Sequence, residues 1–188
     1  RLLAPGEGGI IAARDPAVLA ATRRYRNQGA ESPAGNRFDH EGFNLRPTDV
    51  LSALGVARMD GIDARTASLR RVHRTCREAF SDLRRLRLFD VDEAAGELPL
   101  WVEAIAADRD RVIAGLAARG IEAKPYPPAL CDCAHLRCPA PLPRSRFFAD
   151  HGIVLPSGPD QPDEDLARVA LALREIDRQD GGRMPEAP

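Results

Sequence analysis

Leu69, Val72, Cys76, Ala79, Phe80 and Leu83 follow one another at steps of three and four residues. That spacing winds nearly all of them onto one side of a long α-helix. Such a helix is stable when another layer covers its apolar stripe, and the sequence that follows supplies one. Leu86 to Val91 and Leu100 to Ile105 read as strands, and Asp108 can cap a helix that buries Val112, Ile113 and Leu116 before Gly120 stops it. Ile153 to Leu155 is a further short strand. Pro162 opens a helix with Asp163, Glu164 and Asp165 in its first turn and Leu166, Val169, Leu173 and Ile176 on its buried face. Helices and strands in this order predict an α/β fold.

Before the long helix the signals are more local. Gly9 to Arg14 reads as a short buried strand after a glycine turn, and Asp15-Pro16 starts a helix that runs to about Arg26. Residues 30–42, rich in Gly, Pro, Asn and Ser, form a loop. From Pro47 a second stripe passes through Val50, Leu51, Leu54, Met59 and Ile62 and is weakened by Gly55 and Gly61. Residues 121–143 are extended and proline-rich, and the tail has no apolar periodicity and is expected to be disordered. The resulting division is part of one domain over 1–50, a linking helix over 51–83, a compact second domain over 84–179 and a tail over 180–188.

A chain of 188 residues, 44% of them hydrophobic, can bury a core. Its 27 basic and 28 acidic residues leave a net charge of −1, so no global field attracts nucleic acid or an anionic membrane. The arginine pairs at 23–24, 70–71 and 84–85 read as solvated helix faces. No apolar stretch approaches the roughly 20 residues of a membrane span, and the first residues lack the regions of a signal peptide. A soluble, cytoplasmic protein is expected. Without an initiator methionine, the chain reads as a fragment.

Six short strings occur in order: Gly6-Glu7-Gly8-Gly9, Tyr25-Arg26-Asn27-Gln28-Gly29, Gly42-Phe43-Asn44-Leu45-Arg46, Ala53-Leu54-Gly55, Gly120 to Tyr126, and Leu155-Pro156-Ser157-Gly158-Pro159. On these strings the chain resembles the DegT/DnrJ/StrS-type family of nucleotide-sugar aminotransferases, specifically its C-terminal half. The resemblance implies the fold type I architecture of pyridoxal phosphate enzymes, here as a large-domain remnant, the linking helix and a small α/β domain. It also implies a homodimer, a keto-sugar nucleotide as amino acceptor and an amino donor such as glutamate. In the family the asparagine matching Asn44 reaches across the dimer to the phosphate of the neighbouring subunit's cofactor, and Arg46 would assist by charge. Read from the residues alone, Asn44 is also a turn residue before the Pro47 helix, and Arg46 also a surface arginine.

The family's cofactor-binding lysine matches Arg1. Its Schiff-base role needs a free amine, and a guanidinium stays protonated. A related sugar-dehydrase branch carries histidine there, which arginine does not mimic either. No catalytic residue is therefore assigned, and the chain alone is expected to be inactive. The alternative is a non-catalytic remnant acting as a metal-binding or dimer-partner module. Cys131, Cys133, His135 and Cys138 lie within eight residues and could wrap a zinc ion, although zinc ligands usually come as two separated pairs. Lys124, the single lysine, reads as part of an extended segment, His40 as a loop residue and Cys76 as a core residue.

Overall fold

The computed structural model describes residues 2–32, 34, 37–136, 142–178 and 184–186. Contacts gather the chain into two units, Arg1–Ile62 and Asp63–Pro188. In the second unit, β1 (Leu86–Leu88), β2 (Val102–Ala106), β3 (Lys124–Pro125) and β4 (Gly152–Leu155) form one sheet. The strand order is β1-β2-β4-β3, and each pairing is antiparallel.

Strand alternation gives this sheet two unlike faces. Leu86, Val102, Ala104, Ala106, Ile153 and Leu155 join one core with residues of three helices. The stripe of α3 (Ile62–Ala79) contributes Val72 and Cys76, α4 (Arg109–Ala117) contributes Val112 and Leu116, and α6 (Asp163–Arg178) contributes Leu166, Val169 and Leu173. Leu116 is 0% exposed, and burying a side chain of that size stabilises by about 1.5–3 kcal/mol. Glu103 and Ile105 alternate onto the other face, and α5 (Pro143–His151) packs against β2 and β4 with Phe147 buried.

The caps follow the sequence. Asp108 accepts a hydrogen bond from Arg111 N at 3.1 Å to start α4. α4 and α6 come close at Gly115, where an added Cβ would lie 2.8 Å from Ile176 Cδ1. Near the end of α6, Asp177 accepts from the backbone N–H groups of Arg84 and Arg85 at 3.3 and 3.0 Å, which ties the start of β1 to that helix. Cys76 is a core residue, and burial pushes its thiol up to about 12. Sequence patterning does not announce α5, because its apolar residues Phe147 and Phe148 are adjacent and set no helical period.

The first unit contains α1 (Pro16–Arg26) and α2 (Asp49–Met59). Asp15 caps α1 by accepting from Ala17 N at 2.8 Å, and Thr48 Oγ1 accepts from Leu51 N at 3.4 Å to cap α2. Neither helix has a buried residue, and Gly29 and Ala30 are the buried residues among those described in this unit. The strand expected over Gly9 to Arg14 is absent: this segment pairs with no described residue, and Ile10 and Ile11 are 84% and 66% exposed. A strand needs a neighbouring strand to satisfy its backbone, whatever its own propensity. Residues 51–83, expected as one linking helix, carry α2 and α3, which are separated at Asp60-Gly61. The tail over 180–188 lies outside the described residues except for 184–186.

This difference in burial sets the order of local opening. In native-state hydrogen exchange, amides of α1 and α2 should exchange before those of β2, β4 and α6. Equal protection of the two sets would contradict the burial pattern.

Candidate functional site

Two of the glycine-bearing strings meet in the first unit. Asn27 and Asn44 form an antiparallel bridge, and Ala30 and Phe38 form another. Gln28 N donates to Phe43 O at 3.0 Å, Phe43 N to Tyr25 O at 2.8 Å, and Leu45 N to Arg26 O at 3.0 Å. The Tyr25 and Phe43 rings meet edge-on with centroids 5.4 Å apart. Glycine is required on both sides. Gly29 has φ +78°, and a Cβ there would lie 1.7 Å from His40 O. A Cβ on Gly42 would lie 2.2 Å from Gly29 N.

This hairpin presents Asn44 and Arg46, both exposed. Arg46 Nε donates to Asn44 Oδ1 at 3.1 Å. Because a guanidinium only donates, this contact turns the amide so that Nδ2 is left to donate elsewhere. The pair therefore offers an amide N–H and the remaining guanidinium N–H groups to an oxyanion. Both residues named in the sequence as candidate cofactor contacts are thus in direct contact. His40, placed outside the site on sequence grounds, lies 3.4 Å from Glu31 Oε1, a carboxylate that also has Arg24 at 3.6 Å. Gly6 and Gly8 have φ +112° and +120° around a bend at 6–7, and no strand follows it. Arg1 lies outside the described residues.

The remaining candidates belong to the second unit. Lys124 lies on edge strand β3, exposed, with Nζ 3.2 Å from Glu122 Oε1. Cys131 and Cys133 are half-buried free thiols flanking Asp132 in a 3-10 turn, Leu130–Asp132. Arg146 Nη2 donates to Asp132 Oδ1 at 2.8 Å. Cys138 lies outside the described residues, and among the described residues no group of three or more His, Cys, Asp or Glu is placed to hold a metal ion.

Sequence reasoning did not single out a cleft of about 500 Å³ lined by His73, Phe89, Trp101 and Glu103. His73 is 4% exposed on α3. Burial lowers its pKa, opposed by the Glu93 carboxylate and by an imidazole N–H donated to the Phe89 carbonyl, while Arg77 lowers it further. Across the cleft Glu103 shares a hydrogen bond with Tyr126, whose hydroxyl is raised first by burial and then by that carboxylate. A helix-spaced histidine among apolar stripe residues was the available signal, and it is equally the signal of an ordinary core position.

The sequence pattern of the DegT/DnrJ/EryC1/StrS aminotransferase family matches residues 1–174. GDP-perosamine synthase of Caulobacter vibrioides is 28% identical over 94% of this chain and 50% of its own length. The aminotransferase TlmJ of Streptoalloteichus hindustanus superposes with a TM-score of 0.80 at 18% identity, over 94% of this chain and 49% of that one. DesI, solved in the presence of its TDP-sugar product, superposes with a TM-score of 0.72 at 25% identity over 88% and 44% of the two chains. The chain thus spans about half the length of the curated relatives it matches, and its α/β fold corresponds to about half of such an aminotransferase.

Gly29→Ala should break the 25–29 and 42–46 pairing and raise amide exchange at Phe43 and Leu45 while leaving β2 unchanged; unchanged exchange at Phe43 would refute the close approach. The depressed pKa of His73 means that the unfolded chain takes up the proton first, near pH 6.5. The contribution of neutral His73 is complete above that pH and is lost as the pH falls through the lower folded value. Denaturant titrations from pH 7 to 5 should show falling stability of the second unit, with a shallower fall in His73→Gln. Parallel profiles for the two proteins would count against it.

Proposed function

Because the chain belongs to the DegT/DnrJ/EryC1/StrS aminotransferase family, we propose that it is part of a pyridoxal phosphate-dependent enzyme that moves an amino group from a donor such as glutamate to a keto-sugar nucleotide. In this reading residues 1–50 belong to the large cofactor-binding domain and 84–179 to the small C-terminal domain. The enzyme is a homodimer in the cytoplasm, and Asn44 serves the cofactor of the neighbouring subunit. No helix among the described residues is long and apolar enough to cross a membrane.

The observation that carries this reading is the Arg46 to Asn44 hydrogen bond of 3.1 Å. It orients an amide donor and a guanidinium together, a donor set that fits a phosphate monoester. Pyridoxal phosphate, when bound, supplies the electron sink that transamination requires. This chain's residues suit its phosphate and not its carbonyl. The single lysine, Lys124, is exposed and paired with Glu122, and arginine at position 1 has no free amine to form an imine. No catalytic step is assigned to the 188 residues alone. The missing amine also favours a second reading, a non-catalytic dimer-partner module.

Pyridoxal phosphate should bind the purified chain roughly tenfold more tightly than pyridoxal, through the charge-assisted phosphate contacts. Asn44→Ala and Arg46→Ala should each reduce that preference. Equal binding of the two compounds would remove the phosphate role of this turn. With glutamate, pyridoxal phosphate and a keto-sugar nucleotide present, the chain alone should release no 2-oxoglutarate, and steady release would overturn the inactivity.

A further inference from the structure

β1 is an edge strand, paired with β2 alone. Phe89 N donates to Glu103 O and Ala107 N to Arg85 O, so the odd-numbered residues make the ladder bonds to β2. In an antiparallel pair the residues between them turn their N–H and C=O groups the other way. Leu86 and Leu88 therefore present backbone donors and acceptors to the free edge, and no partner for them occurs among the described residues.

A groove of about 380 Å³ runs along this edge, with Phe80, Leu86 and Leu88 among its apolar lining residues. Arg77, Arg84 and Arg87 also line it, all exposed. None of these three guanidinium groups has an ion pair or hydrogen bond among the described residues. Elsewhere in the same unit Arg119, Arg146 and Arg174 each hold a carboxylate, at 3.0, 2.8 and 2.9 Å. Three guanidinium groups without such a partner thus lie where the sheet is unfinished. Asp90 is the one carboxylate among the described lining residues. Met184, from a stretch without regular secondary structure, also lines the groove, so an unbranched apolar side chain is accommodated there.

We propose that this groove is a docking site for an extended acidic peptide segment of a partner protein, which adds as a strand to the free edge of β1. The backbone groups of Leu86 and Leu88 supply the strand pairing, the apolar residues receive alternate side chains, and Arg77, Arg84 and Arg87 receive the carboxylates. Asp90 disfavours an acidic residue near its own position and so biases the register. The site lies wholly within the second unit and does not depend on the aminotransferase reading.

The probe is a fluorescein-labelled nonapeptide of alternating valine and glutamate, titrated with the full chain and followed by anisotropy. Binding should weaken as salt is raised, and the valine-lysine counterpart should not bind. Arg84→Glu with Arg87→Glu should weaken binding by about tenfold or more, while circular dichroism confirms that the variant is folded. One of the two alternately N-methylated forms of the acidic peptide should lose binding, because the edge pairing needs one set of peptide N–H groups. The proposal is overturned if the acidic peptide does not bind, if the charge reversal leaves affinity unchanged, or if both N-methylated forms bind as well as the parent. Displacement by inorganic phosphate at the same concentration as unlabelled peptide would also overturn it, showing a general anion site.

Discussion

β2 is paired on both edges and covered on both faces, and the second unit is arranged around that constraint. Val102, Ala104, Ile105 and Ala106 are all buried, so every backbone polar group of the strand must find its partner in β1 or β4. Register follows from the same condition. A slip of one residue would carry Glu103 into the α3, α4 and α6 core and move Ala104 out of it. The helices then close the two faces, and Gly115 lets α4 approach Ile176 of α6 more closely than any side chain would allow.

Charge in this unit is kept at the rim. Arg174 with Asp82 and Arg74 with Glu93 are exposed pairs, and in each the guanidinium hydrogen bond holds the carboxyl below the usual carboxylate range. Exposed pairs of this kind stabilise weakly, because water and salt screen them. They matter more as a contrast with the β1 edge, where three guanidiniums have no such partner among the described residues. Among the described residues His73 is the polar one carried into the interior, and desolvation there lowers its pKa.

The first unit depends on a different kind of contact, the backbone approach at Gly29 and Gly42. That approach places Asn44 beside Arg46 and leaves both exposed. Its exposed apolar residues, among them Ile10, Ile11, Phe43 and Val50, make it a surface for covering rather than a core of its own. This accords with a chain that spans about half the length of its curated relatives. A turn that carries an amide and a guanidinium does not by itself exchange an amino group, since neither offers the free amine that such chemistry needs.

The sequence by itself determined α1, α4 and α6 and the apolar stripe of α3. Asp15 and Asp108 act on backbone groups two or three residues away, and the stripes of α3 and α6 repeat within a turn or two, so nearby residues suffice to read them. The strand segments of the second unit and the candidate pair Asn44 and Arg46 were legible too, the pair through the family strings around it. Tertiary structure alone decided that β4 enters between β2 and β3, that α5 is helical, and that His73 faces a cleft. It also decided that 25–29 meets 42–46, and that Gly9 to Arg14 stays unpaired despite its apolar residues. Each of these depends on which distant surfaces bury one another, and a strand acquires its hydrogen bonds only from a neighbour that its own sequence does not specify.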